Sequence, residues 1–154
     1  MKILIMGLPG NGKTTLAKIL AKKLLAVHWN ADEVREMVGK QIPGNLVDRL
    51  EQAKRMHFLC QTVSIAGHIA IADFVCPTPE ARNIFKADYT IWVDRIKEGR
   101  FEDTNNMFVP PDEFDYRIDN NHYDYDMNYY AKKIALSLQQ HKSYLFNPHS
   151  EYAA

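Results

Sequence analysis

The chain has 154 residues, 46% of them hydrophobic, enough for one well-buried core and too few for two ordinary domains. Nineteen Lys and Arg side chains balance nineteen Asp and Glu, so no global field draws nucleic acid or an anionic membrane, and neither partner is expected. Cys60 and Cys76 have neither CxxC nor metal-ligand spacing, which suits buried small hydrophobes in a reducing cytoplasm. The first apolar run is far short of the roughly 20 residues that span a bilayer, and too short for a signal-peptide core.

Residues 2–6, Lys-Ile-Leu-Ile-Met, read as a buried first strand, and the helical pattern that begins at Thr15 follows closely. Between them, residues 7–14 spell Gly-Leu-Pro-Gly-Asn-Gly-Lys-Thr, a complete GxxxxGK[ST] loop in strand-loop-helix context. Its glycines let backbone N–H groups turn inward around nucleotide phosphates, with the helix N-terminus pointing at them. Lys13 is expected to meet the β- and γ-phosphates, and the Thr14 hydroxyl to ligate Mg²⁺. Gly7, Leu8, Pro9, Gly10, Asn11, Gly12, Lys13, Thr14 and Thr15 thus form the candidate ATP-binding segment.

A second strand is expected at 26–29, followed by a helix that Asn30 caps and that Asp32 and Glu33 favour through its dipole. Pro43, Gly44 and Asn45 break that helix, and a long one follows at 46–66 with Gly67 as its stop. Residues 68–75 are nearly continuous in apolar side chains, as in a central strand, with the polar Asp73 near its carboxyl end. Thr78 and Pro79 start another helix, 89–94 is a fourth strand, 114–118 a fifth, and 127–140 a closing helix. Strands alternating with helices predict an α/β fold with a five-stranded parallel sheet between helical layers, a P-loop NTPase fold of αβα type. The polar stretch 95–113 interrupts this order, and a long loop at a strand's carboxyl end is expected to act as a lid bringing Arg95, Lys97 or Arg100 to a transferring phosphoryl group. The aromatic residues of the last third, Tyr116, Tyr123, Tyr125, Tyr129, Tyr130, Tyr144, Phe146 and Tyr152, read mostly as packing for the closing helix or a partner surface, with base stacking by one of them left open.

Ligands in open α/β sheets lie beyond the carboxyl ends of the strands. That rim holds Asn30 and Asp32, then Asp73 and Cys76, then Asp94 and Arg95. In a phosphotransferase Asp32 would accept or orient the proton of the attacking hydroxyl, and Asp73 would serve the metal shell or orient as a second acid.

Several blocks, in order, resemble the adenylylsulfate kinases. Residues 7–17 are similar to the GLxGxGKTTLA loop, and Asn30-Ala31-Asp32-Glu33-Val34-Arg35 to the DGDNVR segment, with Asn at its first acid. Asp48-Arg49-Leu50-Glu51-Gln52 resembles DRxEN with Gln52 for Asn, and Ala72-Asp73-Phe74-Val75-Cys76-Pro77 resembles the SFISP segment with Asp73 for Ser. Phe108-Val109-Pro110-Pro111 is faintly similar to the YExP stretch that ends the family's lid, although the RDxKGLY-like run is absent. The resemblance implies MgATP-dependent phosphorylation of the 3′-hydroxyl of adenosine 5′-phosphosulfate, hence sulfate assimilation. Asp32 would then be the catalytic acid and Arg35 a ligand for the substrate's anionic end. Arg49, Gln52, Asp73, Phe74, Val75 and Arg82 would line the acceptor. Another nucleotide or small-metabolite kinase on the same fold is the alternative reading, a nucleotide-binding switch a more distant one, and a homodimer is left open.

Overall fold

The computed structural model describes residues 1–40, 44–121 and 125–145; Pro43, Tyr123, Phe146, Tyr152 and the Tyr144 side chain lie outside the described residues. Five strands, β1 (Lys2–Met6), β2 (Val27–Asn30), β3 (Ala70–Asp73), β4 (Tyr89–Val93) and β5 (Tyr116–Ile118), form one sheet in the order β2-β3-β1-β4-β5. Every pairing is parallel. The helices are α1 (Lys13–Leu24), α2 (Ala31–Met37), α3 (Leu46–Ile65), α4 (Pro79–Phe85), α5 (Glu102–Met107) and α6 (Met127–Leu145). This is the P-loop αβα fold.

β1 shows why the sheet is central. Successive side chains of a strand point to opposite faces. Ile3 and Ile5 enter a core with Leu16 and Leu20 of α1 and Ile134 and Leu138 of α6. Leu4 and Met6 enter another with Ala53, Met56 and Cys60 of α3 and Phe85 of α4. A strand covered on both faces is apolar along its covered length, as residues 3–6 are, while the buried Lys2 at its start donates to the Phe85 carbonyl at 2.9 Å. Cys60 and Cys76 are free, buried thiols, as expected, and burial pushes the Cys60 thiol up to about 12.

Element boundaries moved where side-chain capping and backbone conformation, rather than hydrophobicity, decide them. Asn30 ends β2, one residue later than expected, because the same residue caps α2: its side-chain oxygen accepts from the Glu33 amide at 3.1 Å. β3 stops at Asp73, two residues short, as the chain leaves the sheet through a loop in which Cys76 takes φ 47°. Asp115 is outside β5 and instead accepts from the Thr90 amide through its carboxylate at 2.7 Å. The 95–113 stretch contains a short helix, α5, that the polar composition concealed. Among the described residues no helix is long and apolar enough to cross a membrane.

Candidate active site

The phosphate loop leaves β1 at Met6 and enters α1 at Lys13. Gly7 has φ 145°, and a Cβ there would lie 2.3 Å from the Val93 carbonyl oxygen, so the loop passes β4 at a distance only glycine permits. No side chain among the described residues caps α1, which leaves its first amides available to an anion. Lys13 is 8% exposed and donates to the Leu8 carbonyl at 2.9 Å. Burial lowers its pKa to about 8, partly opposed by the carboxylates of Asp73 and Asp32. Asn11 ties the loop to the expected lid: its side-chain oxygen accepts from the amides of Arg95 and Ile96, both at 3.0 Å.

Asp73 sits at the end of β3, 2% exposed, directly opposite Asn30 in the β2–β3 register. Thr14 donates its hydroxyl to Asp73 Oδ1 at 3.1 Å, and Asn30 Nδ2 donates to both carboxylate oxygens at 3.1 and 3.2 Å. His28 Nε2 lies 2.5 Å from Oδ2. His28 carries no motif and escaped the sequence reading; its alternation with Asn30 along β2, which puts both on one face, was the available signal.

A cleft of about 280 Å³ runs from this loop across the strand ends. It gathers Pro9, Gly10, Gly12, Lys13, Thr14 and Thr15 with Asp32, Arg35, Arg49, Gln52, Asp73, Phe74 and Val75. Asp32 and Arg35 pair at 2.7 Å on one turn of α2, the carboxylate side chain 83% exposed and the arginine side chain 10%. Arg49 donates to the Gly44 carbonyl at 3.3 Å and to the Thr104 hydroxyl of α5 at 2.6 Å. Burial lowers the Arg49 pKa, reinforced by neighbouring Arg35 and opposed by Asp32. Gln52 spends its amide on the fold, donating to the Ala31 carbonyl at 2.8 Å and accepting from Arg55 at 2.9 Å.

The basic residues of 95–113 separate. Arg100 lines the cleft with Phe101 and Thr104, which the sequence reading did not single out. Arg95 lines another groove with Thr15, Ile19, Tyr125 and Asp126, and Lys97 pairs with Asp94 at 3.5 Å. Arg82 departs from the expected acceptor set. Its guanidinium donates to the Cys76 and Val109 carbonyls at 3.0 and 2.9 Å, bracing the turn after β3 outside the cleft.

The chain is 31% identical over 86 residues to an adenylyl-sulfate kinase of Oceanobacillus iheyensis, covering 53% of this chain and 43% of that protein. The chain spans about half the length of the curated relatives it matches. Among solved structures, the Mycobacterium tuberculosis APS kinase CysC in complex with AMPPNP and APS superposes with a TM-score of 0.78 at 18% identity, over 90% of this chain and 96% of that one. Shikimate kinase from Aquifex aeolicus follows at TM-score 0.67 and 20% identity, over 92% and 98%. These structural likenesses establish the shared fold. The model of the family described as adenylylsulphate kinase matches residues 1–94, from the first strand to the edge of the expected lid. That stretch carries the whole cleft except Arg100, Phe101 and Thr104, and on it the chain belongs to the adenylylsulphate kinase family.

Proposed function

We propose that the chain is an ATP-dependent kinase that transfers the γ-phosphoryl group to the 3′-hydroxyl of adenosine 5′-phosphosulfate. The observation that carries this reading is the continuity of one cleft from the phosphate loop to Asp32, Arg35 and Arg49. A donor phosphate cradled by the loop would thus face an acidic group and two arginines suited to an anionic acceptor. Family membership over residues 1–94 favours adenosine 5′-phosphosulfate as that acceptor.

In this reading the loop amides and Lys13 hold the donor phosphates, Lys13 exchanging the Leu8 carbonyl for phosphate oxygen. Asp32, exposed to the cleft, accepts or orients the proton of the acceptor hydroxyl. Arg35 and Arg49 take the acceptor's anionic end, Gln52, Phe74 and Val75 form its walls, and Arg100 closes over the site from the lid. The donor set fits Mg²⁺. Thr14 and Asp73 offer hard oxygen on one rim, the donor type Mg²⁺ takes from protein when phosphates and water complete its shell. Held there by Thr14 and Asp73, Mg²⁺ would supply positive charge against the charge that develops on the transferring phosphoryl group.

A coupled assay of ATP turnover with adenosine 5′-phosphosulfate, nucleoside monophosphates and small hydroxy acids tests the acceptor. Turnover stimulated by the sulfate nucleotide is expected. Stimulation by a monophosphate and not by adenosine phosphosulfate would overturn the assignment. Asp32→Asn should leave nucleotide affinity intact while lowering kcat by about 10²-fold or more, the scale of a lost general base; wild-type turnover in that variant would remove Asp32 from the chemistry.

A further inference from the structure

We infer that His28 is a positioning residue that acts through Asp73, fixing the carboxylate against the Thr14 hydroxyl and so tuning the affinity of the phosphate loop for the metal–nucleotide complex. The inference rests on the proposed metal side of the site. It does not depend on which acceptor is phosphorylated.

Strand register brings the group together. Asn30 pairs with Asp73, and His28 pairs with Ile71, so His28 and Asn30 project from the same face of β2 as Asp73 from β3. The His28-to-Asp73 relation is a cross-strand diagonal, reachable by a long side chain. An ionised carboxylate only accepts hydrogen bonds. His28 therefore donates from Nε2 to Oδ2 at 2.5 Å, while Thr14 donates to Oδ1 at 3.1 Å. The two oxygens are divided between two donors, and Asn30 steadies both and also donates to Thr14 Oγ1 at 3.2 Å.

This division gives His28 a consequence for the loop. With its proton directed to Asp73, the Thr14 oxygen keeps lone-pair density for a cation. Without the His28 donor, Oδ2 retains, among the described residues, only the Asn30 side-chain amide at 3.2 Å, and the carboxylate is held less firmly in its alignment with Thr14. Groups that orient a ligating residue in this way alter metal affinity by 10–100-fold when removed. A role confined to stability would weaken all binding alike, or none.

The experiment measures the affinity of a non-hydrolysable ATP analogue by calorimetry, with and without Mg²⁺, and no acceptor present. Wild-type protein is expected to bind more tightly with Mg²⁺. His28→Leu should lose about tenfold of that gain while metal-free affinity is unchanged. His28→Gln, whose amide can replace the Nε2 donor, should retain most of the gain. In an Asp73→Asn background, His28→Leu should add nothing further. The inference is overturned if His28→Leu keeps the full Mg²⁺ gain, if Gln falls as far as Leu, or if metal-free and Mg²⁺ affinities drop equally. Nitrogen NMR of the wild-type imidazoles provides a readout that needs no folded Leu variant: a proton on His28 Nε2 supports the inference, and a bare Nε2 overturns it. Loss of the predicted acceptor activity with these results intact would count against the acceptor alone. Absence of any Mg²⁺ gain in wild-type protein would overturn the metal reading and this inference together.

Discussion

Lys13 enters the free site with its pKa lowered to about 8 by burial, yet its proposed partner is a polyphosphate that favours the charged form. Nucleotide binding must then raise that pKa, so the proton-linked share of affinity is fully present below pH 8. It fades as pH climbs through the value in the complex. Calorimetry near pH 8.5, repeated in buffers of different ionisation enthalpy, should record proton uptake on binding, and Lys13→Met should abolish it. Uptake unaffected by Lys13→Met would assign the titration to another group. The charge and hydroxyl of this loop were readable in the sequence because the motif prescribes them residue by residue. The rearrangement opposite it was not. Asn30 and Asp73 looked like two separate departures from the resembled segments, an acid lost and an acid gained. The β2–β3 register makes them partners: the Asp73 carboxylate accepts from both Asn30 and the Thr14 hydroxyl. Only pairing reveals that, and it is pairing that brings His28 onto the same carboxylate.

At the scale of the element, the stretch after β4 was expected as a loop with basic residues and proves to carry α5, held at several points. Asn105 closes its start on Gly99 through bonds of 2.7 and 3.1 Å. Gly99 approaches Pro9 of the phosphate loop so closely that an added Cβ would lie 3.1 Å from its ring. Polar composition hid a six-residue helix whose partners are distant in sequence, since no apolar stripe marks it. The contact that matters for the cleft is Thr104 to Arg49 at 2.6 Å, buried and charge-assisted. Hydrogen bonds to charged groups contribute about 1.5–3 kcal/mol, so Thr104→Val should raise the acceptor KM roughly tenfold or more by releasing Arg49 from its aim. ATP affinity and kcat should change little. A lower melting temperature with an unchanged acceptor KM would reduce Thr104 to a packing role and break the link between α5 and Arg49 as a proposed acceptor ligand.

For the whole molecule, strand and helix order was accessible from hydrophobic runs and caps, because a parallel sheet covered on both faces leaves continuous apolar strands. What those runs could not assign is the side of the sheet on which each helix lies. The structure puts α1 and α6 on one face and α3 and α4 on the other, with β1 contributing alternate side chains to both cores. Both tryptophans, Trp29 and Trp92, pack on the α3–α4 side. This asymmetry allows the coupling of the two faces to be measured. Leu20→Ala removes a fully buried side chain from the α1–α6 core and should cost about 2–5 kcal/mol. If β1 makes the faces one cooperative unit, the denaturant midpoint from tryptophan fluorescence should fall as far as the midpoint from circular dichroism, with the slope unchanged. Fluorescence that holds its wild-type midpoint while circular dichroism shifts would mean that the α1–α6 layer, and the start of the phosphate loop helix with it, unfolds apart from the α3–α4 layer, which carries the proposed acceptor residues Arg49 and Gln52.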